Sequence, residues 1–126
     1  MDVYQQILLE HYKNPRNTEV LKNPDFSSAG DNPSCGDSVF MQGTIENGKL
    51  TDVHFQGKGC VMSQGTASML TEAVKGKTID EVLALNKDFI FNLIGTQLGP
   101  NRMRCALLPL HALQKGLTEY KEQQKK

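Results

Sequence analysis

The sequence predicts an α+β fold in which a small antiparallel sheet of about three strands packs against several helices. Three observations carry this prediction. Two β-rich runs are joined by the turn-forming pair Asn47-Gly48. The segments before and after them show helical apolar spacing. No strand-helix-strand unit repeats along the chain, which argues against a doubly wound sheet.

Length and charge limit the classes of function. At 126 residues the chain, 1–126, is long enough to bury a core as a single domain without disulfide staples. Its 14 basic and 14 acidic residues cancel, which argues against a nucleic-acid surface. No segment approaches the roughly 20 apolar residues that span a bilayer. The first residues lack a basic region followed by an apolar run, so we expect no secretion signal. We therefore expect a cytoplasmic protein that binds neither nucleic acid nor membrane.

The first segment predicts a helix that begins after Asp2 and ends before Pro15. Asp2 and Gln5 have the spacing of a capping box. The apolar stripe of this helix consists of Val3, Tyr4, Ile7, Leu8 and His11. Residues 13–38 are then mostly Asn, Pro, Asp, Ser and Gly, which favours a loop. We expect a third strand to lie hidden within residues 18–42.

The middle of the chain predicts a β-hairpin made of residues 38–45 and 49–57. Alternation in the second run assigns its side chains to two faces of the sheet. Val53 and Phe55 face one side, and Asp52 and His54 face the other.

The second half of the chain predicts helices. Residues 60–74 form an apolar helix of small residues ended by Gly76, and residues 89–94 form another. Thr78 and Glu81 fit a capping box that begins a short helix between these two.

The final helix is predicted to begin at about Met103 or Cys105 and to end at Tyr120. Its apolar positions are leucines spaced for one face. Pro109 is expected within the first turn, because a proline in a helix interior removes a backbone hydrogen bond.

The three cysteines are the main candidates for functional residues in the sequence. Their odd number argues against a disulfide framework. Cys60 opens a predicted helix, where backbone amides and the helix dipole favour a thiolate. Cys105 repeats this arrangement beside Arg102 and Arg104. Cys35 lies in a polar loop.

A shared metal site is the preferred interpretation of these thiols. A single cysteine is more often a small buried hydrophobe, but none of the three is centred in an apolar stripe. Asp37, two positions after Cys35, supplies a fourth group, and thiolates with one carboxylate suit zinc or iron. The separations of 25 and 45 positions contain no C-x-x-C pair, so spacing alone is weak support.

The histidines are weaker candidates for the fourth position. His111 lies six residues after Cys105, which places it about 240° away around a helix. We expect His11 and His54 to be surface or packing residues, with His54 the better placed to support the site.

The chain resembles the U-type iron-sulfur cluster assembly family, which comprises IscU, the NifU N-terminal domain and SufU. The matching stretches cover nearly the whole chain: HYKNPRN, NPSCGD, GKGCVMSQGTASM, TEAVKGK and RMRCALLPLHALQKG. The resemblance implies the α+β fold described above. It also implies that the ligand residues of the site are Cys35, Asp37, Cys60 and Cys105.

Within the family, the chain looks most like the SufU branch. SufU proteins usually carry an insertion of roughly twenty residues before the last cysteine, and this chain is too short there to contain it. In the IscU branch a histidine precedes that cysteine, and a Leu-Pro-Pro-Val-Lys segment binds a dedicated chaperone. In this chain Arg104 occupies the position of that histidine. The segment from Leu98 to Arg102 occupies the position of the chaperone-binding segment. Use of that chaperone therefore stays open.

The function implied is acceptance of persulfide sulfur from a cysteine desulfurase, with Cys105 as the acceptor. The protein would hold a nascent iron-sulfur cluster, [2Fe-2S] in type, and pass it to recipient or carrier proteins. It would be a scaffold rather than an enzyme, or at most a sulfurtransferase-like acceptor. A weak homo-oligomer is among the expected associations, and whether two copies share a cluster stays open.

Two alternatives remain open on the sequence. In one, Zn²⁺ occupies the same four residues and the chain accepts sulfur without a stable cluster. In the other, the zinc only supports folding and the chain is a partner-binding module.

Overall fold

The computed structural model describes residues 2–34, 36–96 and 98–125. Five helices and three strands follow one another in these residues. In chain order they are α1 (Val3–Lys13), β1 (Phe26–Asn32), β2 (Asp37–Glu46), β3 (Lys49–Lys58), α2 (Val61–Ala73), α3 (Ile79–Leu83), α4 (Lys87–Ile94) and α5 (Pro100–Gln124). The strands form one antiparallel sheet in the order β1-β2-β3. The predicted α+β class is confirmed.

The hairpin of β2 and β3 closes at the predicted turn. Asn47 has a φ of 55° and Gly48 a φ of 77°. Positive φ at both central residues is the geometry of the type I′ turn, whose twist matches that of the flanking strands. The Asn-Gly pair thus sets the register that places Asp37 at the start of β2 near the end of β3.

Strand β1 lies in the stretch predicted to be mostly loop, within the range where a third strand was expected. Its inward positions are small apart from Phe26, so the apolar alternation of a strand is missing. Helix α5 explains the small residues. A Cβ on Gly30 would lie 3.2 Å from the Ala112 Cβ, and a Cβ on Gly116 would lie 3.0 Å from the Ser28 Cβ. Close approach of α5 to β1 requires these residues.

The core lies between the inward face of the sheet and the helices α2 and α5. Leucine and isoleucine side chains from four of the elements are almost completely buried there, together with Met41 from β2. The largest buried side chains include Met41, Leu50, Leu70, Ile90, Ile94, Leu110, Leu113 and Leu117. Burial of each such side chain contributes about 1.5–3 kcal/mol.

His54 faces away from Val53 and Phe55, as predicted, but it is only 7% exposed. The chain between α1 and β1 covers it. The Phe55 amide donates to the Asn17 carbonyl over 2.9 Å, and the Gln56 side-chain amide donates to the Thr18 carbonyl over 3.1 Å. His54 is therefore a packing residue.

Helix α1 begins with the predicted capping box between Asp2 and Gln5. Its predicted apolar stripe is only partly correct. Leu8 and His11 are buried, whereas Val3, Tyr4 and Ile7 are exposed. The contact with α2 is close at this point, because a Cβ on Gly65 of α2 would already lie 2.8 Å from a Leu8 methyl group.

The segment that follows α1 is anchored to α2 by polar side chains. Ser68 lies 2.8 Å from the Nδ1 atom of His11 and accepts a 2.9 Å hydrogen bond from the Arg16 amide. The Asn17 side chain donates to the Thr71 hydroxyl over 3.0 Å. The HYKNPRN motif thus holds α1 and the covering segment to α2.

The final helix differs from the prediction at its start. It begins at Pro100, a favoured residue for the first helical position, with Gly99 as its N-cap. Pro109 therefore lies inside the helix and not in its first turn. An interior proline costs about 3 kcal/mol. Burial of the neighbouring Leu108 and Leu110 outweighs this cost.

Within the described ranges, no helix is both long and apolar enough to cross a membrane.

Acidification is expected to weaken the attachment of α1. Burial, and then the charge of Arg16, holds the pKa of His11 below its ordinary value of 6.5, and Glu72 and Glu10 only partly offset this. The unfolded chain therefore binds this proton more readily. The stability contributed by neutral His11 is complete above about pH 6.5 and is lost as the pH falls through the lower folded pKa.

The measurement is the free energy of urea unfolding at about pH 7.5 and about pH 5.5, for the wild-type protein and for His11→Gln. We expect a smaller decline in the variant. An equal decline in both proteins would assign the pH dependence to other groups.

Candidate metal centre

Three elements bring potential metal ligands to one end of the sheet. Asp37 is the first residue of β2, Cys60 is the N-cap of α2, and Cys105 lies in α5. One ligand atom from each of these side chains lies within 4.8 Å of the other two. The structure thus brings together three of the four residues predicted to share a site. Cys35, the fourth, falls outside the described residues.

The Asp37 carboxylate is the buried part of this group, with only 2% of the residue exposed. Its Oδ1 atom accepts a 3.0 Å hydrogen bond from the Cys60 amide, and its Oδ2 atom lies 3.4 Å from the Cys60 Sγ atom. A buried carboxylate is costly unless hydrogen-bonded donors or a cation compensate it. Asp37 is therefore placed both to begin α2 and to face a cation.

Cys60 has the position that the sequence predicted. It follows β3 directly and caps α2, but its side chain makes no capping hydrogen bond. The Ser63 hydroxyl donates to the Cys60 carbonyl over 3.3 Å, and the Gln64 side-chain amide donates to the Ser38 carbonyl over 3.1 Å. These bonds fix the turn between β3 and α2. They leave the thiol directed to Asp37 and not to its own helix.

Gly59 is a site residue that sequence reasoning missed. Its φ is +150°, and a Cβ there would lie 2.2 Å from Asp37 Oδ1 and 2.7 Å from the Ser63 hydroxyl. The hydrogen atom in place of a side chain makes room for the carboxylate. The available signal was a glycine directly before a cysteine, at the junction of a strand and a helix.

Cys105 is placed differently from the prediction. It is the sixth residue of α5 and is 7% exposed, so it does not occupy a helix N-terminus. The helix dipole acts mainly within the first turn. The positive surroundings of Cys105 therefore come from Arg102 and Arg104 and not from the start of the helix.

A cavity of about 660 Å³ gives access to both thiols. Its walls combine polar residues, the apolar start of α2, two arginines and the two thiols. The lining residues are Asn32, Ser34, Cys60, Val61, Met62, Asn101, Arg102, Arg104 and Cys105. Cys60 is exposed to this space, whereas Cys105 forms part of its deeper wall.

None of the three histidines lines this cavity. His11 contacts Ser68, and His54 lies under the segment that covers the sheet. His111 is exposed on α5. His54 does not support the site as expected from the sequence.

The donor set determines which ions fit. Thiolates prefer zinc, copper(I) and iron in clusters, whereas a carboxylate suits harder ions but is also accepted by zinc. Two sulfurs and one carboxylate oxygen in mutual reach leave a fourth tetrahedral position for one more ligand. The described residues therefore suit zinc or an iron of a cluster.

Comparisons with known proteins agree on one family. A family model described as the NifU-like N-terminal domain matches residues 3–126. The chain is 35% identical to the zinc-dependent sulfurtransferase SufU of Bacillus subtilis, over 93% of this chain and 90% of that protein. It is 32% identical to the iron-sulfur cluster assembly scaffold protein IscU of Haemophilus influenzae, over 96% of this chain and 98% of that protein.

Solved structures show the same fold. One is from Fervidobacterium islandicum and is described as an iron-sulfur cluster assembly scaffold protein for the SUF system. It superimposes with a TM-score of 0.79 at 24% identity, covering 93% of this chain and 96% of that one. An N-terminal NifU-like protein from Brucella abortus gives a TM-score of 0.76 at 21% identity, covering 95% of each chain.

A side chain at position 59 is expected to weaken metal binding. Gly59→Ala places a methyl group against Asp37 Oδ1 and requires a left-handed backbone that alanine disfavours. Loss of a supporting contact typically reduces metal affinity by about 10- to 100-fold. The measurement is zinc affinity by competition with a chelator. Gly99→Ala is the matched control, because no atom lies within 4 Å of its added Cβ. Equal affinities in the two variants would contradict the role of Gly59.

Proposed function

The chain belongs to the family of NifU-like N-terminal domains, and on this premise we propose that it supports iron-sulfur cluster assembly. In this proposal it accepts persulfide sulfur from a cysteine desulfurase, holds the nascent cluster and passes it to recipient proteins. The observation that carries the proposal is the convergence of Asp37, Cys60 and Cys105 beside an accessible cavity.

The proposed ligands are Cys35, Asp37, Cys60 and Cys105. The described geometry supports three of them. For Cys35 the support comes from its sequence neighbours, because Ser34 lines the cavity and Asp37 belongs to the cluster of ligand atoms. Four ligands complete one tetrahedral zinc ion or one [2Fe-2S] cluster, in which each iron takes two protein ligands.

Cys105 is the proposed sulfur acceptor. Transfer requires a thiolate that attacks the outer sulfur of the donor persulfide. Two arginines share the cavity wall with Cys105, and positive charge favours the thiolate form. The more exposed Cys60 is the alternative acceptor.

Asp37 is the proposed replaceable ligand. Its oxygen is a harder donor than the thiolates, so it should hold zinc or iron less firmly. The Cys60 amide gives the carboxylate a hydrogen bond that does not depend on a metal. Departure of a cluster therefore leaves Asp37 with one of its partners.

The similarity to a zinc-dependent sulfurtransferase favours a second candidate function. Here Zn²⁺ is bound by the same four residues, and the chain transfers sulfur without a stable cluster. Both candidates use the same site and differ in what it holds.

Metal and acid-labile sulfide in anaerobically purified protein should separate the two candidates. Iron and sulfide in equal amounts would support the scaffold, and zinc without sulfide would support the sulfurtransferase.

Asp37→Ala is expected to lengthen the lifetime of a reconstituted cluster, measured by visible absorption during transfer to an apo-protein. Asp37→Asn is the control, because it retains an oxygen for the Cys60 amide. Absence of both metal and sulfide, with no cluster after reconstitution, would contradict both candidates.

Replacement of Cys105 is expected to abolish sulfur acceptance. The protein is incubated with a cysteine desulfurase and cysteine, and persulfide is then located by peptide mass spectrometry. Cys105→Ser should carry no persulfide, while Cys60→Ser should retain persulfide on Cys105. The reverse pattern would identify Cys60 as the acceptor.

A further inference from the structure

Two of the three arginines in the chain line the cavity that contains the thiols. Arg102 precedes Cys105 by three residues, a spacing that places both on one face of α5. Arg104 lies next to Cys105 in the helix and also reaches the cavity. Both guanidinium groups therefore border the space through which a sulfur donor reaches Cys105.

Neither of these arginines has a partner among the residues that the structure describes. No side-chain hydrogen bond or ion pair within the described residues involves Arg102 or Arg104. Arg16, by contrast, is paired with Glu10. The first turn of α5 contains no acidic residue. The two guanidinium groups are thus available to an anion that enters the cavity.

Sulfur transfer brings two anions together at this place. The reactive form of Cys105 is a thiolate, and the donor is a persulfide anion, R–S–S⁻. Two like charges at contact distance repel each other more strongly at a protein surface than in bulk water. Positive charge beside the reacting sulfurs offsets this repulsion.

We infer that Arg102 and Arg104 position an anionic sulfur donor at Cys105, with Arg102 contributing more. This inference rests on the proposed function. The Cys105 thiolate attacks the outer sulfur of R–S–S⁻, and the bond between the two donor sulfurs breaks. The donor leaves as R–S⁻ with the electron pair, and the sulfur remains on Cys105 as a persulfide anion. The charge of −2 is unchanged, and no oxidant or reductant is needed.

The inference extends to the tail of the donor. The guanidinium group forms bidentate hydrogen bonds with carboxylates, whereas an ammonium group would be repelled. A donor that carries a carboxylate near its persulfide should therefore react faster than a cationic donor of similar size. On a protein donor, the matching feature is an acidic side chain beside the persulfide.

The test uses two small persulfides, prepared from 3-mercaptopropionate and from cysteamine. The rate of sulfur addition to Cys105 is measured for the wild-type protein at several salt concentrations. We expect the carboxylate donor to react faster and its rate to fall as salt rises. The double variant Arg102→Gln/Arg104→Gln should react about tenfold more slowly with this donor, with a weaker salt dependence. Compared with the double variant, Arg102→Lys should show the salt dependence of the wild-type protein but only part of its rate of sulfur addition.

The matched control is Lys121→Gln/Lys125→Gln, which removes the same charge from the other end of α5. It should behave like the wild-type protein, and zinc content should be equal in all variants. An unchanged rate and salt dependence in the arginine variant, or equal slowing in the lysine variant, would overturn the inference while sulfur acceptance stands. A wild-type protein that takes sulfur from neither persulfide nor a desulfurase would overturn the proposed function as well.

Discussion

The hydrogen bond from the Cys60 amide to the buried Asp37 carboxylate is the constraint on which the site depends. It connects the first residue of β2 to the first turn of α2, two elements that the hairpin has already brought to the same end of the sheet. The bond can form because Gly59 has no side chain, and a Cβ there would lie 2.2 Å from the accepting oxygen of Asp37. A carboxylate at this depth is compatible with folding because the amide, and a metal in the proposed function, compensate its desolvation.

The third side chain reaches the site through a different constraint. Cys105 belongs to α5, and α5 lies against β1 closely enough that Gly30 and Gly116 have little room for a Cβ. Larger residues at these positions would move the helix away from the sheet. The small residues that hide β1 from sequence analysis thus also determine where Cys105 lies.

Local chemistry made part of this architecture predictable. The Asn47-Gly48 turn, the capping box at Thr78 and the start of α2 at Cys60 each follow from rules that act over a few residues. A third strand was expected within residues 18–42, but the bounds of β1 and the interior position of Pro109 did not follow, because tertiary packing outweighs local preference at both. Spacing of the cysteines could not reveal the site, since its residues come from separate elements. Residue types suggested the set and the family resemblance implied it, whereas the close approach of Gly59 to Asp37 and the place of the two arginines in the cavity wall came from the structure.

The site is asymmetric in burial as well as in chemistry. Asp37 is almost fully buried and has the Cys60 amide as a hydrogen-bond partner. The thiols, by contrast, face a cavity bordered by two guanidinium groups that have no side-chain partner among the described residues. In the proposed function, anionic sulfur therefore arrives on the thiol side, where the positive charge lies. The carboxylate side need not open, because the Cys60 amide holds the Asp37 carboxylate without a metal. In the proposed function, loading then changes the Cys105 thiol and release breaks the metal contact of Asp37, while the hydrogen bond at the junction of β3 and α2 stays in place.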